Sequence, residues 1–167
     1  MTTVIRTEES IDLDAIAAIH RACFPTDGEA RLVDALRAAG RLTISLVAVA
    51  GDAVVGHVAF SPVTTADGQT GLGLGPIGVL ESHRCQGIGD GLVRTGLLAC
   101  KTADYAWAVV LGDPAYYGRF GFEPASTFGF SDEFGGGEHF QAIELAPGGL
   151  PTGAGLVRYA PEFNALG

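Results

Sequence analysis

The sequence has little positive charge, and its basic residues are scattered. Ten Lys and Arg stand against 19 Asp and Glu, so the formal net charge is −9. Binding to a nucleic-acid backbone or to an anionic membrane needs clustered basic side chains. We therefore expect neither nucleic acid nor membrane as a partner, and any electrostatic steering should favour a cationic ligand.

Cysteine is scarce as well. Cys23, Cys85 and Cys100 show no metal-ligand spacing, and the four histidines lie far apart in the chain. We therefore expect no metal site. An odd number of cysteines, and a start without the pattern of a secretory leader, predict a reduced cytoplasmic protein. No apolar stretch reaches the roughly 18 residues that a membrane span requires.

The 167 residues fit one domain, 1–167, and 47% of them are apolar, which is enough for a buried core. Hydrophobic periodicity predicts a mixed α/β chain with an early antiparallel meander. Strands are expected at 3–6, 43–50, 54–62, 71–80, 106–111, 120–124 and 139–145. Helices are expected up to about Cys23, from a Thr26–Glu29 capping box to about Gly40, up to about Lys101, and over one short turn at 115–119.

Three further features refine this outline. A helix of crossover length connects 71–80 with 106–111, which predicts parallel pairing of those two strands. Pro76 interrupts the first of them, and a central strand tolerates proline only at a bulge or an edge. The Gly- and Phe-rich stretch 126–137 is expected to be an irregular loop, and 147–155 to be turns before a tail at 156–159.

One stretch indicates chemistry. After the apolar run 72–80, a glycine-rich turn at Arg84–Gly89 leads directly into a helix whose apolar residues include Ile88, Leu92 and Val93. Such a turn presents free backbone N–H groups at the positive end of a helix dipole, and this arrangement receives phosphate.

The residues of this turn fit a known signature. Arg84-Cys85-Gln86-Gly87-Ile88-Gly89 follows the pattern Arg/Gln-x-x-Gly-x-Gly/Ala, and Tyr117 to Phe122 matches a Tyr-x-x-x-Gly-Phe element thirty residues on. The chain therefore resembles the GCN5-related N-acetyltransferases (GNAT), and the stretches 74–79, 111–122 and 144–148 resemble the YhbS-like branch of that family. The likeness covers almost the whole chain.

The resemblance implies the GNAT fold, with a mostly antiparallel sheet and a splayed pair of central parallel strands. It also implies acetyl-CoA as cosubstrate. The backbone of Gln86 to Gly89 would receive the pyrophosphate, Arg84 would add charge, and Ile77 and Val79 would pair with pantetheine beside Pro76. The residues implied in cofactor binding are Ile77, Gly78, Val79, Arg84, Gln86, Gly87, Ile88, Gly89, Asp90 and Tyr117. Asp90 departs from the family pattern, and we expect its carboxylate to face solvent.

For catalysis, the resemblance implies that the backbone N–H of Val79 polarises the thioester carbonyl and that Tyr117 is the general acid. Tyr117 could instead be a packing residue. Many relatives carry a glutamate before the Val79 position, but 71–80 contains no acid. The general base is therefore open among Glu29, His57, Glu81, His83, a chain of waters, or an acceptor that arrives already deprotonated.

Other residues and functions fit the sequence less well or are left open. Cys85 has no recognisable His–acid pair beside it, so a nucleophilic role is not favoured. Phe128 to Phe134 could line an acceptor pocket. The expected activity is direct transfer of an acetyl group to a primary amine in a ternary complex. The alternatives are a non-catalytic acyl-CoA-binding or sensing module, and a dinucleotide-binding domain, for which the glycine spacing is wrong. The acceptor and a homodimer are left open.

Overall fold

The computed structural model describes residues 2–153 and 155–166. The described strands are β1 (Thr3–Thr7), β2 (Ile44–Ala50), β3 (Ala53–Thr65), β4 (Thr70–Val79), β5 (Trp107–Leu111), β6 (Glu123–Pro124), β7 (Phe130–Asp132), β8 (Phe140–Glu144) and β9 (Gly155–Arg158). The described α-helices are α1 (Leu13–Cys23), α2 (Gly28–Ala38), α3 (Ile88–Thr102) and α4 (Pro114–Tyr117). The pairing is mostly antiparallel and helices flank the strands, so the predicted mixed α/β class is confirmed.

The described chain divides into two compact units. The first contains 2–60, 76–96 and 161–166, and the second contains 61–75, 97–153 and 155–160. Three elements, β3, β4 and α3, contribute residues to both units. Our expectation of one domain over 1–167 stays a prediction.

The first unit is built on an antiparallel meander. β1 pairs with β2 from Thr3↔Ala50 to Thr7↔Leu46, and β2 pairs with β3 across the turn at 51–52. This confirms the hairpin that the Gly-Asp pair predicted. Ile16 of α1, Val33 of α2 and Val47 of β2 form a buried cluster. Each fully buried side chain of this size stabilises the fold by about 1.5–3 kcal/mol.

The start of α2 differs from the prediction. The helix begins at Gly28 with Asp27 as N-cap, and no side chain makes a capping hydrogen bond there. The Thr26 hydroxyl instead accepts a hydrogen bond from the Gly28 N–H at 3.2 Å, which is a local turn two residues long. The predicted capping box of Thr26 and Glu29 is therefore wrong.

The second unit contains the predicted parallel pair. β4 and β5 pair in parallel from Leu72↔Ala108 to Leu74↔Val110, and β5 continues antiparallel to β8. At the end of this parallel segment Gly75 has a φ of 146°, which a side chain would disfavour, and Pro76 follows. The splay of the strands beyond this point stays a prediction.

Two segments of the second unit are more regular than predicted. The stretch 126–137 contains β7, which pairs in parallel with β9, and the expected tail is β9 itself, which also pairs with β3 at Thr64 and Thr65. Phe130 of β7 is buried and lies 5.6 Å from the Trp107 ring. The strand expected at 120–124 is reduced to Glu123–Pro124, because residues 118–120 continue α4 as a 3-10 helix. None of the helices in 2–153 and 155–166 is long and apolar enough to cross a bilayer.

Candidate active site

The last residues of β4 are covered on one face by α1. A Cβ on residue 78 would lie 3.1 Å from the Cys23 sulfur and 3.2 Å from the Ile19 side chain, so a larger residue would require these side chains to move by a few tenths of an ångström. Side chains alternate along a strand. Ile77 and Val79, both half-buried, therefore have side chains that face away from α1. Their backbone pairing with pantetheine stays a prediction.

The carbonyl of Val79 is held by two side chains. The Arg84 Nε donates a hydrogen bond to it at 2.9 Å, and the Cys23 thiol donates one at 3.4 Å. The Arg84 guanidinium also reaches the Cys23 sulfur, at 3.6 Å. We expected Arg84 to add charge at the pyrophosphate. Here its side chain orients the end of β4, and contact with pyrophosphate stays a prediction.

The glycine-rich turn has the geometry of an anion site. Cys85 and Gly87 have φ values of 62° and 79°, and left-handed residues of this kind aim successive N–H groups toward one side. The first backbone bond of α3 runs from the Gly91 N–H to the Gly87 carbonyl at 3.0 Å. The N–H groups of residues 88 and 89 therefore have no acceptor within the helix. Asp90, which we expected to face solvent, is half-buried.

In the second unit, Tyr117 lies at the end of α4. Its N-cap is Asp113, whose side chain accepts a hydrogen bond from the Ala115 N–H at 2.9 Å. The Tyr117 ring is buried and packs edge-on against Phe122 at 5.8 Å, and a side chain on Gly112 would overlap it. Burial raises the pKa of the Tyr117 phenol to about 12. The hydroxyl therefore keeps its proton at neutral pH and can donate it.

The four candidate bases differ in their surroundings. Glu81 is exposed, Glu29 and His83 are half-buried, and His83 Nδ1 lies 2.8 Å from the Ser82 hydroxyl. His57 is fully buried, and both of its ring nitrogens have partners. His57 therefore has no free nitrogen with which to take a proton directly from a substrate.

His57 belongs to a buried polar chain that the sequence did not indicate. His20 Nε2 lies 2.8 Å from His57 Nδ1, and His57 Nε2 lies 2.8 Å from the Ser45 hydroxyl. Ser45 donates to the Glu8 carboxylate, which Arg37 binds through two nitrogens at 2.8 and 2.9 Å. These five residues come from β1, α1, α2, β2 and β3 or their ends, so no local motif could reveal them. The sequence signal was limited to polar residues inside apolar runs.

The buried polar chain of His20, His57, Ser45, Glu8 and Arg37 makes the free energy of unfolding depend on pH. Burial lowers the pKa of His20 from 6.5 to about 4, and burial together with the nearby His20 and Arg37 charges lowers the pKa of His57 well below 6.5. Because the pKa is lower in the folded protein, the unfolded protein binds protons at a higher pH than the folded protein does. The stabilisation is therefore complete above pH 6.5 and is lost as the pH falls toward 4. His20 alone accounts for about 3 kcal/mol.

We expect the free energy of unfolding in urea to fall between pH 7 and pH 5. In His20→Gln, whose amide can still donate to His57 but cannot titrate, the fall should be smaller. His139→Gln makes the same change at an exposed histidine and should keep the wild-type pH dependence. An equal fall in all three proteins would contradict the role of the buried histidine. Carboxylates with a lowered pKa, such as Glu8, act at lower pH than this window.

The second unit also contains an open cavity of about 400 Å³. Phe128, Ile143 and Leu150 supply apolar lining, and Glu123 and Glu144 supply carboxylates. Phe128 was among the residues expected to line an acceptor pocket. Phe134 is 46% exposed and packs against Tyr159 at 5.8 Å. Among the described residues no group of three or more His, Cys, Asp or Glu is arranged to hold a metal ion.

A glycine-rich loop that follows a strand and opens a helix is typical of proteins that bind phosphate-containing cofactors. Residues 4–125 match the acetyltransferase (GNAT) domain family, and the chain belongs to this family. It is 42% identical to the uncharacterized N-acetyltransferase YhbS of Escherichia coli K12 over 164 residues, which cover 96% of this chain and 98% of that protein.

Two solved structures are similar over nearly all of the chain. YhbS from E. coli in complex with CoA has a TM-score of 0.93 at 42% identity and covers 99% of this chain and 93% of its own. A GNAT acetyltransferase from Brucella melitensis in complex with acetyl-CoA has a TM-score of 0.81 at 36% identity and covers 97% and 98%. The GNAT fold is thereby confirmed, and similar proteins bind CoA or acetyl-CoA.

Proposed function

We propose that this protein transfers the acetyl group of acetyl-CoA to a primary amine, directly and within a ternary complex. The observation that carries the proposal is the loop at 84–89. Its left-handed residues and the first turn of α3 offer convergent N–H donors, in a chain whose similar structures hold CoA and acetyl-CoA.

The cosubstrate would be bound by backbone groups. The N–H groups of Gln86, Gly87, Ile88, Gly89 and Asp90 would bind the pyrophosphate, because these positions combine low steric bulk with the positive end of α3. Ile77, Gly78 and Val79 would pair with the pantetheine amides. Arg84, whose guanidinium holds the Val79 carbonyl, would keep this strand end in the conformation that presents the Val79 N–H.

The chemical steps follow from the needs of acyl transfer. The neutral amine attacks the thioester carbonyl, and negative charge develops on the carbonyl oxygen. A donor fixed in advance, the N–H of Val79, would stabilise that charge. The C–S bond then breaks, and the thiolate needs a proton. Tyr117 would supply it, since burial keeps its phenol protonated. No covalent enzyme intermediate is required.

Two measurements test this function. We expect acetyl-CoA to bind with 1:1 stoichiometry in titration calorimetry. We also expect a panel of primary amines, from small amines to aminoglycoside-like polyamines, N-terminal peptides and lysine peptides, to give release of free thiol with at least one member. Absence of both binding heat and thermal shift would contradict the proposed cosubstrate. Binding without thiol release across the panel would favour an acyl-CoA-binding module over an enzyme.

A further inference from the structure

The buried polar chain has one defined direction of hydrogen bonding. Arg37 and Ser45 both donate to the Glu8 carboxylate, and these bonds lower the pKa of Glu8. Glu8 is therefore ionised and can only accept. Since the Ser45 hydrogen points to Glu8, the Ser45 oxygen must accept the bond from His57 Nε2.

The direction of these hydrogen bonds also determines the tautomer of both histidines. A neutral imidazole carries one N–H. With its hydrogen on Nε2, His57 can use Nδ1 only as an acceptor, and the bond from His20 Nε2 must be donated to it. His20 therefore also carries its hydrogen on Nε2. The buried polar chain ends in a lone pair on His20 Nδ1, fixed there by the Glu8 carboxylate three hydrogen bonds away.

This terminal nitrogen is fully buried and has no hydrogen-bond partner among the described protein atoms. A buried acceptor without a partner costs about 1–3 kcal/mol. The other nitrogens of the two histidines are all bonded, so this cost is concentrated at one basic atom. A chain that served packing alone would gain nothing from ending this way.

The helical position of His20 relates it to the end of β4. On α1 it lies between Ile19 and Cys23, the two residues that contact Gly78, and Cys23 also donates to the Val79 carbonyl. His20 and Cys23 are three residues apart and share one side of the helix. The basic atom therefore belongs to the helix segment that packs on the strand end proposed to hold the thioester.

We propose that His20 is the general base of the transfer reaction and that its Nδ1 takes the proton of the acceptor ammonium group through one buried water. His57, Ser45 and Glu8 are positioning residues that fix the tautomer of His20. This inference rests on the proposed function. It supplies the base that β4, which contains no acid, does not provide.

The proton balance is as follows. The ammonium group gives one proton to the water, the water gives one to His20 Nδ1, and the amine becomes neutral and nucleophilic. His20 is then an imidazolium that donates from Nε2 to His57 and from Nδ1 to the water. The second amine proton leaves as the tetrahedral intermediate collapses, and through solvent it replaces the proton that Tyr117 gives to the thiolate. After the acetylated product has formed, His20 returns the first proton to solvent. This is the logic of a His held by a carboxylate chain in acyl-transfer enzymes.

Several charged groups lie close to the buried polar chain. Glu8 favours the imidazolium, and Arg37 opposes it. Asp34, which bonds Arg37, and Asp12, which interacts with Glu8, complete the charged groups that face the chain from α2 and from the start of α1. Asp12 is itself bound by Arg6. Burial lowers the pKa of His20, so His20 is neutral at rest.

The test compares His20→Gln with the wild-type protein, using benzylamine and hydroxylamine as acceptors at pH 7. Benzylamine is an ammonium ion at this pH and needs a base, whereas hydroxylamine is already neutral. Removing a general base costs about 10²-fold or more in rate. We expect a kcat loss of about that size with benzylamine, no loss with hydroxylamine, and unchanged affinity for acetyl-CoA. Raising the pH toward the pKa of benzylamine should shrink the deficit.

His139→Gln, the matched change at an exposed histidine, should behave as wild type with both amines. An equal loss of kcat with both amines would show that His20 is only structural. No loss of kcat with benzylamine would exclude His20 as the base. Either result overturns the assignment of His20 but leaves the proposed function intact. If the wild-type protein binds acetyl-CoA and acetylates neither these two amines nor any member of the amine panel, the proposed function fails, and the assignment of His20 fails with it. Nitrogen-15 spectra of the histidines give a check without turnover: a proton on His20 Nδ1 at pH 7 would overturn the proposal.

Discussion

Replacing Gly87 with glutamate is expected to abolish the binding of acetyl-CoA. Gly87 has a φ of 79°, a conformation that costs a residue with a side chain about 1–2 kcal/mol. The new carboxylate would also stand beside the N–H groups proposed to receive the pyrophosphate, and two negative charges about 4 Å apart repel by up to about 4 kcal/mol near a protein surface. The backbone strain is present in the free protein as well, so the repulsion carries the loss of affinity, and it exceeds the loss of about 3 kcal/mol that corresponds to 100-fold in Kd.

Titration calorimetry with acetyl-CoA measures this loss, and Gly40→Glu is its matched control. Gly40 has a φ of 73°, and, as at Gly87, an added Cβ would meet no atom within 4 Å. The control therefore carries the same strain and the same charge at the end of α2, away from the loop, and its affinity should equal that of the wild type. If Gly87→Glu binds acetyl-CoA as tightly as Gly40→Glu does, the pyrophosphate is bound elsewhere.

The anion loop was predictable because all of its determinants are local. Gly87 and Gly89 mark the turn, and the apolar spacing after Ile88 marks α3. The structure adds the left-handed conformation of Cys85 and the partner of Arg84. Neither could be read from the sequence, because a non-glycine residue at positive φ has no signature, and the Arg84 side chain is long enough to reach several acceptors.

Features that depend on contacts between distant segments were missed. β9 follows a glycine-rich stretch and has a weak pattern of its own, so it forms because β7 and β3 offer it backbone partners. The His20–His57 pair joins residues 37 positions apart. His57 was a residue of unknown face in a strand, and only the packing of α1 on the meander shows that it points into the core.

The two parts of the proposed chemistry therefore have different origins. The proposed cofactor binding would use backbone groups of a local motif, which the sequence displays. The proposed removal of the amine proton would use side chains from five elements, which only the packing of the protein brings together. This difference explains why the cosubstrate could be inferred from residues 84 to 89 of the sequence. The proposed general base could be inferred only from contacts in the structure.

Replacing Tyr117 with phenylalanine is expected to lower turnover by about 10²-fold, the usual cost of losing a general acid. The substitution removes the hydroxyl and keeps the ring, so the packing against Phe122 and over Gly112 is preserved. Affinity for acetyl-CoA should therefore stay close to that of the wild type. Release of free thiol measured at saturating acetyl-CoA, together with calorimetry, separates the two effects.

Tyr116→Phe provides the control for this prediction. Its ring lies 4.9 Å from that of Tyr117, and the change removes the same atom one residue earlier in α4. It should leave turnover nearly unchanged. Because the pKa of Tyr117 is raised to about 12, the wild-type rate should also show no loss of activity from this phenol up to about pH 10. Equal losses in the two variants, or full turnover in Tyr117→Phe, would mean that another group protonates the thiolate and that Tyr117 is a packing residue.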